Sequence, residues 1–275
     1  MKIVSWNVNG IRTRIVDIHN GVIVSGSIHK IIQTEDPDII CFQETRCSVE
    51  NSMKFGNTSY PFQYFNESKG QGARGPNRYS GTSVWSKIEP INVIYNIPGY
   101  EDLYGRIIIL TFDNFTVINV YTPNSGTNFA NRILWNNAFL EYLKNREGRI
   151  VFCGDMNVAY LPQDTYFDSK KIKPMAGILP EEIDFVTKLL EFGFVDTSDA
   201  GKFTWWNPMC KKENGMSIMR NRDTGWRIDH FFVKGIMGFT RVLKHIGEEY
   251  AGISPLSSDH APIILDAHLN FTTEP

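Results

Sequence analysis

The stretch GRIIILTFDNFTVINVYTPN, Gly105–Asn124, holds two runs rich in β-branched and aromatic residues, joined at Asp113-Asn114. Such a pair of runs around a tight turn predicts a β-hairpin. Downstream the pattern changes. RILWNNAFLEYLKNR, Arg132–Arg146, spaces Ile133, Leu134, Ala138, Phe139, Leu140 and Leu143 near the helical period. PEEIDFVTKLLEF, Pro180–Phe192, opens with Pro and two acids and is followed by Gly193, the start and stop signals of a second helix. Hairpins mixed with segregated helices predict an α/β (α+β) fold in which two mixed β-sheets pack face to face with helices outside.

Five strand-like runs end in, or carry, polar chemistry. MKIVSWNVNGIR (Met1–Arg12) presents Asn7 and Asn9, whose spacing of two puts both amides on one face if the strand continues. IICFQETR (Ile39–Arg46) delivers Glu44, RIVFCGDMNVAY (Arg149–Tyr160) delivers Asp155 and Asn157, and GWRIDHFFV (Gly225–Val233) carries Asp229. SSDHAPIIL (Ser257–Leu265) sets Asp259 and His260 before an apolar run, and taken alone it reads as a turn. Charged groups are rarely buried without partners, so five such placements together point to one cleft where the strand ends gather.

Composition sets the bounds. The 275 residues, 42% hydrophobic and 13% aromatic, fit a single globular domain spanning 1–275. No apolar stretch approaches a membrane span and no secretory signal is visible, so an intracellular protein of nucleus or cytoplasm, monomeric and without a membrane partner, is expected. Cys41, Cys47, Cys153 and Cys210 lack paired metal spacing and read as reduced, mostly buried thiols. With 28 Lys and Arg against 30 Asp and Glu, the net charge of −2 gives no support to a nucleic-acid partner. Local charge does better. SKGQGARGPNR (Ser68–Arg78, ending in Arg78) and CKKENGMSIMRNR (Cys210–Arg222, with Lys211, Lys212, Arg220 and Arg222) are basic and loop-like, and either solvation or phosphate contact accounts for them. Asp164–Pro180 reads as one long loop carrying Lys170, Lys171 and Lys173.

Glu44, Asp155, Asp229 and Asp259 are oxygen donors, and Asn7, Asn9, Asn124 and Asn157 are neutral donors and acceptors. Hard oxygen ligands fit Mg²⁺, or Mn²⁺, better than zinc. A hard divalent ion beside a carboxylate-backed His suits phosphodiester hydrolysis, in which charge develops on the phosphate and water must be activated.

WNVNGIR, QETR, YSGTSVWSK, INVYTPN, GDMNVAY, TWW, GWRID and SDHAPI resemble, in order, the motifs of the exonuclease III class of apurinic/apyrimidinic endonucleases. That class belongs to the endonuclease/exonuclease/phosphatase superfamily, and the match runs from Lys2 to about Leu265. The QE, GD-N and SDH elements identify only the superfamily, whereas TWW before GWRID, with YSG and Tyr-x-Pro-Asn, resembles the abasic-site branch. The resemblance implies a four-layered αββα sandwich. It also implies a Mg²⁺-dependent repair endonuclease cutting 5′ to an abasic site, with 3′-phosphodiesterase and 3′-to-5′ exonuclease action on duplex DNA carrying abasic or blocked 3′ ends.

Carried onto this chain, the resemblance implies that Glu44 ligates the metal, with Asn9 and Asp259 as direct or water-mediated ligands. Asp155 would orient or deprotonate the attacking water. Asn157, Asn7 and Tyr121 would hold the scissile phosphate, and His260 would contact it while Asp229 fixes the imidazole. Trp205, Trp226 and Ile228 align with the apolar pocket for an extruded base-free sugar, with Trp206 expected to be core. There are departures: Asn9 stands where some relatives have Asp, the two basic loops are longer than in compact members, and Arg12–Ser27 looks looser than the usual helical entry. Two other readings are weighed. A lipid or inositol-phosphate phosphatase would lack the aromatic pocket, and a non-catalytic nucleic-acid-binding module would have lost one of Glu44, Asp155 or Asp259.

Overall fold

A computed structural model describes residues 1–19, 22–52, 59–70, 79–168, 173–198, 200–209, 212–213, 216–243 and 258–268. The chain opens with β1 (Lys2–Asn7), α1 (Arg12–Ile15), the hairpin β2 (Val16–His19) and β3 (Val22–Ser25), and α2 (Ser27–Glu35). It continues through β4 (Ile39–Gln43), α3 (Val49–Ser52), β5 (Phe62–Asn66), β6 (Thr82–Ser86) and β7 (Asn92–Ile94). The hairpin read from the sequence is present as β8 (Ile107–Thr111) and β9 (Thr116–Tyr121), closed by Phe112 N–H donating to the Phe115 carbonyl at 2.9 Å. Then come α4 (Phe129–Lys144), β10 (Ile150–Asp155), α5 (Pro180–Glu191), β11 (Val195–Asp196), β12 (Lys212–Glu213), β13 (Met216–Ser217), α6 (Ile218–Asn221), β14 (Asp229–Lys234), β15 (Met237–Val242) and β16 (Ile263–His268).

Apart from the two-stranded pairs β2-β3 and β12-β13, the strands form two six-stranded sheets, ordered β15-β16-β1-β4-β6-β5 and β11-β14-β10-β9-β8-β7, both mixed. Each has one central parallel pair, β1 with β4 and β9 with β10, flanked by antiparallel neighbours. The period of two sorts each strand. In β4, Ile40 and Phe42 face α2 and pack with Ile28, Ile31 and Ile32, while Ile39 and Cys41 face the other sheet. In β10, Ile150 and Phe152 meet Trp135, Phe139, Phe185 and Leu189 of α4 and α5, while Val151 and Cys153 join the layer between the sheets. This is the expected αββα order.

Helix signals are met where the sequence puts them. Asn128 caps α4 by accepting from Asn131 N–H at 3.0 Å, and Glu182 in the first turn of α5 accepts from Leu179 N–H at 3.0 Å. The buried face of α4 differs from the apolar one: it carries Arg132 and Asn136 beside Trp135 and Phe139, and Leu134 is 59% exposed. Arg132 is tolerated there because Asn136 and the Pro123, Met156 and Asn157 carbonyls accept from its guanidinium. β1 does not continue to Asn9, whose φ of 47° turns the chain, so the shared face of Asn7 and Asn9 does not form; Arg12–Ser27 departs from a helical entry, as its sequence indicates, with a four-residue helix followed by a hairpin. Cys41, Cys47 and Cys153 are free and buried, as expected, and Cys210, Lys170 and Lys171 lie outside the described residues. Among the described residues no helix is long and apolar enough to cross a membrane.

Candidate active site at the strand ends

The same parity that sorts the core builds the site. Asn7 follows Ile3 and Ser5 along β1, Asp155 follows Val151 and Cys153 along β10, and Tyr121 follows Val117 and Asn119 along β9. Each is the last residue of a central parallel strand, on the face between the sheets, so the polar group stands at the rim of the inter-sheet layer. Asn9, Glu44 and Asn157 then bend the chain at φ of 47°, 51° and 48°. Left-handed backbone at non-glycine residues costs on the order of 1–3 kcal/mol each and gathers at functional sites. Gly154, at φ +136°, is required outright, since a Cβ there would lie 1.9 Å from the Val120 carbonyl oxygen.

One amide ties the carboxylates together. Asn7 Nδ2 donates to Glu44 Oε1 at 3.0 Å and to Asp155 Oδ2 at 2.9 Å. Asn157 N–H donates to Asp155 Oδ1 at 2.9 Å, its own amide donates to the Thr122 carbonyl, and Asn124 Nδ2 reaches Asn157 Oδ1 at 3.2 Å. Asp259 accepts from Asn9 Nδ2 at 2.8 Å and from Trp205 Nε1 at 3.0 Å. His260 Nδ1 lies 2.8 Å from Asp229 Oδ2, and its Nε2 lies 3.8 Å from Asp155 Oδ2. Ser258, absent from the candidates read from the sequence, bonds the Asn7 carbonyl at 2.6 Å and joins the last loop to β1.

Burial resists the charge on His260, but Asp229 and Asp155 outweigh it and hold its pKa up at about 10. Burial pushes Asp155 up to about 7; His260 opposes this, while Asp229 and Glu44 add to it. Burial and Glu44 raise the Tyr121 phenol well above its usual range, against Arg106. Arg106, also unread from the sequence, lies under the Tyr121 ring at 4.8 Å and donates to the Tyr121 carbonyl at 3.0 Å.

Of these groups, Glu44, Tyr121, Asn124, Asp155, Asn157, Asp259 and His260 line a cavity of about 460 Å³. Apolar groups line it too: Trp205, Trp226, Ile228 and Phe167, with Trp205 and Phe167 each edge-on to Trp226 at 6.1 and 5.4 Å. The site residues thus come together, carboxylates against aromatic wall, while Trp206 is core at 1% exposure.

Residues 4–260 match the Endonuclease/Exonuclease/phosphatase family. The chain belongs to this family. An exodeoxyribonuclease of Bacillus subtilis is 33% identical over 277 residues, covering 96% of this chain and 98% of that protein. The DNA repair nuclease APEX1 of Danio rerio is 32% identical over 280 residues, 96% of this chain and 81% of its own. Recombination repair protein 1 of Drosophila melanogaster is 34% identical over 279 residues, and there the chain spans 37% of the relative's length. Among solved structures, an AP endonuclease from Archaeoglobus fulgidus superposes with a TM-score of 0.74 at 24% identity, covering 96% of this chain and 98% of that one. A 3′-5′ exonuclease (NExo) from Neisseria meningitidis gives 0.73 at 23%, covering 97% and 99%. The protein is a phosphodiester hydrolase of this family.

The endonuclease/exonuclease/phosphatase family is metal-dependent, and the donor set fits a hard cation. Among the described residues the tightest knot of ligating atoms is Asp155, Asp229 and His260, all within 4.8 Å. Within that knot the protonated imidazole offsets one of the two carboxylates and occupies Oδ2 of Asp229. Glu44 and Asp259 face the cavity; Asn7 donates to the first, whose other oxygen pairs with Arg46, and Asn9 and Trp205 donate to the second. Burial, more than the neighbouring carboxylates, raises Asp155, and a cation nearby would favour its charged form.

The basic residues fare differently. Arg220 is corrected: it is 4% exposed, its guanidinium stacks 4.6 Å over Trp206, and its Nη1 donates to the Ser258 carbonyl at 2.8 Å. It supports the Ser258–His260 loop from behind, a placement that a run of Lys and Arg does not reveal. Arg222 is exposed, while Arg78 and Lys211 lie outside the described residues.

Proposed function

We propose that the protein hydrolyses the phosphodiester 5′ to an abasic site in duplex DNA with Mg²⁺ as its metal, and trims blocked 3′ ends in the same site. It is a DNA repair nuclease of the exonuclease III type. The observation that carries the finer reading is the junction of the Asp229-His260-Asp155 array with a cavity walled by Trp205, Trp226 and Ile228. An undamaged strand gains nothing from such a wall, whereas a sugar without its base is flipped out at little unstacking cost and fits against it.

Asp155 receives the proton of the attacking water, whose oxygen bonds to phosphorus as the bond to the 3′ oxygen of the preceding nucleotide breaks. That oxygen leaves, protonated by solvent, as a 3′ hydroxyl. Asn157 N–H and Asn7 keep the Asp155 carboxylate aimed at the cavity. His260, protonated and held by Asp229, donates to a phosphate oxygen as negative charge grows there. Tyr121 and Asn157 complete the cradle. Glu44 and Asp259, with Asn9 beside the latter, would hold the divalent ion, which would supply positive charge at the phosphate. The test is incision of a duplex containing one tetrahydrofuran abasic analogue, against undamaged duplex, with Mg²⁺ and with excess chelator. Site-selective, Mg²⁺-dependent cutting on the 5′ side is expected. Equal cutting of both duplexes, or full cutting in chelator, overturns the reading.

A further inference from the structure

Trp205 lies between the two halves of the site. Its backbone is paired on one side with Trp226, through N–H to carbonyl bonds of 2.9 and 2.8 Å in both directions. On the other side the same segment runs against the Asp-His loop: Trp206 N–H donates to the Asp259 carbonyl at 3.1 Å and Ala261 N–H to the Thr204 carbonyl at 2.7 Å. This threading fixes the indole twice over. Its ring lines the cavity edge-on to Trp226, and its N–H reaches Asp259 Oδ2 at 3.0 Å. The other carboxylate oxygen is taken by Asn9 Nδ2 at 2.8 Å. Asp259 is therefore oriented by two neutral donors, neither of which cancels its charge as a Lys or Arg would.

We propose that Trp205 has a second task, resting on the reading above: its indole N–H is a positioning group that orients Asp259 toward the divalent ion. A carboxylate free to rotate loses entropy on binding a metal, and partners that fix such ligands typically change metal affinity by about 10- to 100-fold when removed. The task is chemically separable from the wall. A phenyl ring keeps an aromatic surface against Trp226 and lacks the N–H, so Trp205→Phe removes the orienting bond while an aromatic ring stays in the cavity.

The experiment measures Mn²⁺ binding to the whole chain without DNA, by electron paramagnetic resonance and calorimetry, for the parent, Trp205→Phe and Glu44→Gln. Trp205→Phe is expected to weaken Mn²⁺ binding about 10-fold and to move the Mg²⁺ concentration for half-maximal incision upward by a similar factor. Placing the sulfur isostere benzothienylalanine at position 205 gives the same reading should the phenyl ring pack poorly, since it keeps the bicyclic shape. Parent-like affinity in both Trp205 forms, with Glu44→Gln weakened, overturns the inference and leaves the proposed function standing. Parent-like affinity in Glu44→Gln as well removes the metal from this side of the site and overturns both.

Discussion

The Asn7 side chain meets the Asp155 carboxylate across the two sheets at 2.9 Å, and the same Nδ2 reaches Glu44 at 3.0 Å. A neutral donor from the first sheet thus sits between Asp155 of the second and Glu44, whose other oxygen pairs with Arg46. The geometry of the site is only as good as the alignment of the sheets. Gln43 Nε2 donating to Asn119 Oδ1 at 2.7 Å, with Asn119 bonding two carbonyls of the opposite sheet, provides a second buried fastening a few residues away.

If Asp155 and His260 carry the proton and the charge, Asp155→Asn and His260→Ala each lower turnover by on the order of 10²-fold or more. DNA affinity stays within a few-fold of the parent. Single-turnover incision in rapid quench, beside binding by anisotropy, separates the two; an unchanged chemical rate takes the residue out of the mechanism.

Stability without metal should fall with rising pH. His260 has a folded pKa of about 10 against an ordinary value near 6.5, so its contribution is complete below 6.5 and lost as pH rises through 10. Asp155, raised to about 7 by burial, is stabilised in its protonated form and adds to the fall between about 4 and 7. Thermal melts in chelator should drop steadily over this range. Mg²⁺ should flatten the acidic part, because it favours the Asp155 anion; a melting curve in chelator that rises with pH contradicts the assignment.

Two neighbouring arginines should separate cleanly. Arg220→Ala leaves the Ser258 carbonyl without its donor and Trp206 without its stacking partner, and is expected to destabilise the fold by about 1–3 kcal/mol. Arg222→Ala should leave the melt unchanged. If Arg222 contacts a phosphate, that substitution flattens the salt dependence of abasic and intact duplex binding alike, by a slope of about 1. Denaturant melts and salt titrations read the two effects, and an unchanged slope returns Arg222 to solvent.

Trp226→Ala should lose discrimination while the polar site still cuts. Both duplexes carry the same phosphates, so charge cannot separate them and shape must. The readout is the ratio of single-turnover rates on abasic and undamaged duplex for the parent, Trp226→Ala and Ile228→Ala. A constant ratio makes these side chains core, and leaves the abasic reading without its structural support.

The sequence carried more of the site than of its scaffolding. The strand-end groups Asn7, Glu44, Asp155, Asp229 and His260 were legible because each interrupts an apolar run with a residue that burial penalises, and that penalty is a local property of the chain. Arg106, Arg132 and Ser258 were not, since an arginine or serine in a polar context looks the same whether it faces water or a set of carbonyls. Arg220 was misread for this reason: its charge is visible in the sequence and its partners, Trp206 and the Ser258 carbonyl, are not.

By itself the sequence determined the donor types, their places at strand ends and, through the period of two, the face each strand turns to the opposite sheet. Only the tertiary structure decided which ends meet. His260 and Asp229 are 31 residues apart and Asn7 and Asp155 are 148, and their contacts follow from sheet order and register. That order is set by the whole apolar layer between the sheets, a sum of many weak contacts that no short stretch of chain encodes.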